Sequence, residues 1–204
     1  MRPEASLPQG DGPLALSGLE PFAKGGKRHC YVHPANPGLC VKVVASADDP
    51  QCAVEQRQDL EDYAWLERHR PEAIFERIPA FAGIVETDLG AGIVMQLYRD
   101  ADGRISRNLT ELLREHGLTP ALDRAIDELK RWQREYRLLT RDTGPHNVVA
   151  VRSDGGGLKL TIIEDWLNRR HRWLARLHPV LTDFLIEREL RKFDRRLAHL
   201  TGQS

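Results

Sequence analysis

The stretch 138–165, LLTRDTGPHNVVAVRSDGGGLKLTIIED, constrains this chain more than any other. Two β-rich runs, 148–151 and 158–163, flank Ser153-Asp154-Gly155-Gly156-Gly157, the pattern of an antiparallel hairpin. A hairpin centred near Gly156 puts Asn147 and Asp165 side by side at its open end. Asp142 lies five residues before Asn147, and Pro145 keeps the loop between them from becoming helix. Three oxygen-bearing side chains therefore converge where both strands end. An Asp, an Asn five residues on, a hairpin and a second Asp are the parts of a kinase site in order. In such a site the first Asp accepts the proton of the attacking hydroxyl. The Asn and the second Asp hold magnesium on the nucleotide phosphates, a metal that takes hard oxygen ligands. Arg141-Asp142 supplies the last two letters of His-Arg-Asp, with Thr140 in place of the His. The same residues also suit an ordinary hairpin with carboxylates at its ends, so the rest of the chain has to decide.

Upstream, 14–44 reads as a small β-sheet whose first loop carries Gly25 and Gly26 followed by Lys27 and Arg28, a basic loop suited to nucleotide phosphates. Lys42 stands alone in the apolar strand 39–44 and needs an anionic partner or an outward path. The helix 48–70 offers one, because Ala53, Leu60, Tyr63, Ala64 and Leu66 make an apolar stripe with Asp59 at its edge. Glu55, one turn earlier, is the reserve. Lys42 is expected to bind the α/β-phosphates, oriented by Asp59. Strands at 80–86 and 92–97 follow, and Met95, Gln96, Leu97 and Tyr98 are expected to line the adenine side through backbone groups. The polar run 98–103 reads as a hinge. Ser106 is expected to cap a short helix that stops at Gly117. Thr119-Pro120 opens a longer helix that buries Leu122, Ile126, Leu129, Trp132 and Tyr136. A last amphipathic helix spans 178–200. The expected organisation is a disordered 1–13, an N-lobe at 14–98 and a C-lobe at 99–204. The expected fold class is α+β: a compact, two-lobed protein-kinase-like fold with a small antiparallel β N-lobe and a short, mainly helical C-lobe.

Thirty basic and thirty acidic residues cancel over the 204, so overall charge selects no polyanionic partner. The distribution is uneven: from Trp166 onward nine basic residues face four acidic ones, a tail of +5. That tail suits a solvated helix face or a contact with an anionic surface. Cys30, Cys40 and Cys52 lack the spacing of a zinc site or a disulfide framework, which suits a reducing compartment. The first residues hold no apolar signal core, and no run approaches the ~20 apolar residues of a membrane span. A cytoplasmic location is expected, with no transmembrane segment and no nucleic-acid partner.

With these parts in view, the chain resembles the bacterial PhoP regulatory network YrbL family. The resemblance rests on 28–34 (RHCYVHP), 40–44 (CVKVV), Ile78-Pro79, Gly83 and 85–92 (VETDLGAG), with 63–66 (YAWL) and Pro145-His146-Asn147 also fitting. It covers about 16–165, while the basic tail matches poorly. It implies a kinase-like fold and leaves the acceptor open.

Several features depart from standard kinases. The glycine loop has only Gly25 and Gly26, Asp165-Trp166-Leu167 replaces Asp-Phe-Gly, and Gly144 stands where protein kinases usually carry a catalytic-loop Lys. Only 39 residues follow Asp165, too few for the substrate lobe of a protein kinase. The expectation is therefore an ATP- and magnesium-dependent phosphotransferase acting on a small-molecule, sugar or glycolipid hydroxyl. Asp142 is its base, Asn147 and Asp165 its metal ligands. The rivals are a regulatory pseudokinase that binds nucleotide or a partner without transfer, a binder of anionic surfaces through the tail, and a metal hydrolase using Asp142, Glu164 and Asp165.

Overall fold

The computed structural model describes residues 12–46, 48–168 and 179–202. Most of the expected disordered start, and Arg169, Arg170, Arg172 and Arg176 of the basic tail, lie outside the described residues. The chain divides into two units, Met1–Phe75 with Pro79–Leu97, and Glu76–Ile78 with Tyr98–Ser204.

The first unit is built on a five-stranded antiparallel sheet of β1 (Ala23–Lys24), β2 (Arg28–His33), β3 (Asn36–Val44), β4 (Phe81–Thr87) and β5 (Gly90–Gln96), in the order β1-β2-β3-β5-β4. Strand alternation sorts the side chains of β2 and β3 onto two faces. One carries Tyr31, Leu39, Val41 and Val43, which with Leu16 and Val94 form an apolar cluster. The other carries Arg28 and Cys30 on β2 with Val44 and Lys42 opposite them on β3. Helix α1 (Pro50–His69) packs on β3, with Asp49 as its N-cap accepting from Gln51 N–H and Pro50 at its first position. The Tyr63 hydroxyl accepts from Phe81 N–H at 3.0 Å, tying α1 to β4. The buried stripe of α1 is Cys52, Asp59, Asp62, Tyr63 and Leu66. This corrects the apolar stripe read from sequence, since Ala53 is exposed and Leu60 only half-buried. The helix is turned so that two carboxylates, not a purely apolar edge, are buried.

The β4–β5 hairpin turns through Asp88-Leu89 alone, tighter than the five-residue turn expected. Thr87 organises it, its hydroxyl donating to Gly90 O at 2.6 Å and accepting from Leu89 N–H. Asp88 then holds the entering chain: its carboxylate accepts from Leu16 N–H at 2.7 Å and from the Ser17 hydroxyl at 2.6 Å. These bonds, the Ser17 hydroxyl foremost, pull the Asp88 carboxyl below the usual aspartate range. A depressed acid contributes stability that is complete above its unfolded pKa and is lost as pH falls through the lower folded value. Replacing Asp88 with Ala is expected to remove that component, so melting temperature should fall less steeply on acidification than in the wild type. Parallel acid limbs for the two proteins would show that the clamp carries no such linkage.

The second unit contains α2 (Leu109–His116), α3 (Pro120–Glu135), a hairpin of β6 (Val148–Arg152) and β7 (Leu158–Ile162), and α4 (Pro179–Thr201). Asn108, rather than the expected Ser106, caps α2 by accepting from Glu111 N–H. The Ser106 hydroxyl donates instead to Asp100 at 2.7 Å. Thr119 caps α3 as its position before Pro120 predicts. Leu122, Ile126, Leu129 and Trp132 are buried, and α3 packs on β7. Helix α4 buries Leu185, Ile186, Leu190, Phe193 and Leu197, while Phe184 is exposed. Among the described residues no helix is long and apolar enough to cross a membrane.

Candidate functional site

In the second unit the hairpin does what its spacing demands. Val148 pairs with Ile162, Gly156 turns with φ of 76°, and Ile163 N–H donates to Asn147 O at 2.9 Å. The chain ends are therefore adjacent. The Asn147 amide Nδ2 donates to Asp165 Oδ2 at 3.1 Å and to the backbone oxygen of Asp142 at 3.2 Å, bridging the two carboxylate-bearing segments. Asn147 is buried, while Asp142 and Asp165 are half-buried. Asp165 has φ of 59°, a left-handed conformation that Asp and Asn tolerate better than most residues.

Two arginines complete this arrangement; the sequence offers Arg141 only as a letter of the motif and Arg196 only as one charge of the basic tail. Arg141 Nε and Nη2 both donate to Asp165 Oδ1, the Nε contact at 2.7 Å, and Arg141 N–H donates to Asp165 O. Arg196 of α4 donates through Nη1 to Asp142 Oδ1. His146 Nε2 lies 4.0 Å from Asp142 Oδ2. Gly144 makes room for this grouping: a Cβ there would collide with the His146 ring and meet Arg196 Nη1 at 3.0 Å. Behind the loop, Gln133 Nε2 donates to the Thr143 hydroxyl at 3.3 Å, and Thr143 bonds Thr140, all three buried. Thr140, in the position of the kinase His, thus supports the Asp142 loop from inside. Only the four-residue periodicity of α4 could have pointed to Arg196, and nothing local pairs it with Asp142.

The donor chemistry fits magnesium. The Asp165 carboxylate and the Asn147 amide oxygen are hard oxygen ligands, and the carboxylate keeps lone pairs beyond the bonds it already accepts. Among the described residues no three His, Cys, Asp or Glu side chains group to hold a metal, so the Asp142, Glu164 and Asp165 cluster of the hydrolytic rival does not form.

In the first unit four charged side chains are buried between the sheet and α1: Arg28 at 7% exposure, Lys42 at 6%, Asp59 at 8% and Asp62 at 7%. Arg28 donates through Nη1 to Asp59. This amends two expectations. Asp59 is held by Arg28 from β2, and Arg28 is not displayed by the glycine loop. The reason is strand alternation, which puts Arg28 on the same sheet face as Lys42, where its longer fork reaches the helix. Asp62, one turn beyond Asp59, is the second buried carboxylate and was not picked out from sequence, because acidic residues on a polar helix read as solvated. Lys27 donates to Asp49 at 3.0 Å, and that bond holds its ammonium pKa above the usual lysine value. Gly25 and Gly26 sit in the β1–β2 turn, with Gly25 N–H donating to Arg28 O at 2.8 Å. Met95 is buried at the end of β5. The N–H groups of Gln96 and Leu97 donate to Ala80 O and Gly38 O, both at 2.8 Å, so neither is open to a base. Tyr98 begins the second unit, its carbonyl accepting from Ser106 N–H.

Comparison with known proteins bears on the family and the fold. The family described as PhoP regulatory network protein YrbL matches residues 14–198. The "Uncharacterized protein YrbL" of Escherichia coli (strain K12) and that of Shigella flexneri are each 33% identical over 142 residues, or 68% of this chain. The chain spans 66% of the length of these curated relatives. Among solved structures, a crystal structure of the protein kinase Rad53, residues 1–466, in complex with AMP-PNP superposes with a TM-score of 0.54 at 16% identity. The match covers 82% of this chain and 44% of that one. The fold is thus α+β and protein-kinase-like.

Proposed function

The chain belongs to the PhoP regulatory network protein YrbL family, and from that premise we propose that it is an ATP- and magnesium-dependent phosphotransferase. Its acceptor is the hydroxyl of a small molecule, sugar or glycolipid. The observation that carries this reading is the Asn147 amide, which ties the Asp142 backbone to the Asp165 carboxylate. In the reaction the acceptor oxygen bonds to the γ-phosphorus, the bond from that phosphorus to the β–γ bridging oxygen breaks, and ADP leaves. The hydroxyl proton passes to the Asp142 carboxylate. Asn147 and Asp165 would hold magnesium, which neutralises phosphate charge. Arg141 fixes the Asp165 carboxylate in place. Lys42 takes the α/β-phosphates, and the Gly25-Gly26 turn supplies flexible backbone near them.

Replacing Asp165 with Asn tests the metal role without backbone strain, because Asn tolerates φ of 59° whereas Ala there adds a conformational cost. The gain in nucleotide affinity on adding magnesium should shrink by about tenfold or more, the loss of one charge-assisted contact. Titration with and without magnesium reads this directly, and an unchanged magnesium effect removes Asp165 from the metal site.

One observation favours a second reading, a regulatory pseudokinase. Arg196 already donates to the Asp142 carboxylate, so an oxygen lone pair that a base would offer the hydroxyl is engaged. Magnesium-dependent nucleotide binding with no turnover, in wild type and in Arg196→Gln alike, selects that reading.

A further inference from the structure

A groove of about 730 Å³ lies within the second unit beside Asp142. Its walls carry Arg114 of α2, His146 of the Asp142 loop, and Lys192, Arg195, Arg196 and His199 of α4. Four permanent cations and a single carboxylate, Glu111, line the groove; outside the lining, Lys192 donates to Glu189 at 2.8 Å and Arg196 donates to Asp142. Glu111 already lies 3.6 Å from Arg107. Arg114 and Arg195 make no ion pair with any described residue. Lys192, Arg195, Arg196 and His199 fall at helical spacing on one face of α4, opposite the buried Leu190, Phe193 and Leu197. Like charges four residues apart repel on a helix, and core packing needs none of them. Such a clustering of cations on a concave wall is the chemistry of an anion site. Arg196 joins the groove to the reacting centre, since it lines the one and donates to Asp142 in the other.

We propose that this groove binds the acceptor, and that the acceptor is a hydroxyl compound already bearing phosphate, either a sugar phosphate or a phosphorylated lipid headgroup. The assignment rests on the phosphotransferase reading. It gives Arg114 and Arg195 the role of holding the anionic group while the free hydroxyl reaches Asp142. Unlike the buried Lys42, these arginines are exposed, so an incoming ligand meets them without prior rearrangement. The transfer step is the one balanced above, with the resident phosphate left unchanged.

The test uses the full chain at low and moderate salt, with glucose, glucose 6-phosphate, inorganic phosphate, and phosphatidylcholine vesicles with and without phosphatidic acid as probes. Binding of MgATP is measured separately. Wild type should bind glucose 6-phosphate or the phosphatidic acid vesicles, with glucose and neutral vesicles silent. Salt should weaken the binding. Arg114→Gln and Arg195→Gln together should lower that affinity by about tenfold or more and leave MgATP affinity unchanged. Binding of the sugar phosphate alone assigns a soluble acceptor, and of the vesicles alone a lipid one. The inference is overturned if no phosphate-bearing probe binds, or if the double variant binds it as wild type does. It is equally overturned if MgATP affinity falls with the two arginines, which would make the groove a nucleotide site. Normal groove binding with no MgATP binding at all would instead sink the phosphotransferase reading and leave the anion site standing.

Discussion

Replacing Asp142 with Asn is expected to lower phosphoryl transfer by roughly 10²–10⁴-fold while nucleotide affinity stays almost unchanged. A general base acts on the attacking hydroxyl, not on the bound phosphates, so the loss belongs in kcat. Arg196 loses a charged partner in this variant, but both side chains are substantially exposed, at 47% and 31%. A pair of that kind contributes no more than about 1 kcal/mol, so the melting temperature should barely move. Single-turnover transfer to an acceptor, with MgATP affinity measured in parallel, separates the outcomes. Transfer at the wild-type rate would show that Asp142 is not the base.

Breaking the Arg28–Asp59 pair from one side is the largest expected stability effect. Arg28→Met or Asp59→Leu alone should cost about 3–5 kcal/mol, because each removes one partner of a buried ion pair and leaves the other charge buried between the sheet and α1. The double variant should recover most of that loss, since two apolar side chains of similar volume replace a pair whose desolvation was already costly. Urea denaturation of the four proteins closes the cycle, and strictly additive losses would show that the pair is not coupled. Lys42→Met supplies the contrast. It should abolish nucleotide binding, whereas Arg28→Met, compared at equal folded fraction, should retain it. Loss of nucleotide binding in both would mean that the phosphates need Arg28 as well. Asp62, buried on the same helix face, belongs in a second cycle with Lys42.

The local signals were strong wherever a residue's chemistry forces a backbone outcome. Gly156 at positive φ, the β-rich runs on either side of it, and Thr119 before Pro120 each determine their own neighbourhood. The hairpin therefore follows from a few residues, and with it the adjacency of Asn147 and Asp165. The turn of α1 about its own axis was legible only in part: Asp59, Tyr63 and Leu66 are buried as expected, while Cys52 and Asp62 are buried in place of Ala53 and Leu60. A hydropathy stripe ranks Leu60 above Asp59, yet the facing strands carry Arg28 and Lys42, and buried cations need buried carboxylates. Which face a helix hides depends on what it packs against, and that partner lies elsewhere in the chain.

By itself the sequence determined the order of elements, the antiparallel sheet followed by helices, and the three oxygen-bearing residues at the open end of one hairpin. These depend on turn chemistry and on strand and helix periods, which act within a few residues. Tertiary structure alone decided the partners of each charge: Arg28 for Asp59, Arg141 for Asp165, and Arg196 for Asp142 across 54 positions of chain. An ion pair is selected by distance in space and by the desolvation that packing imposes on both groups. Neither quantity is written in the spacing of residues along the chain.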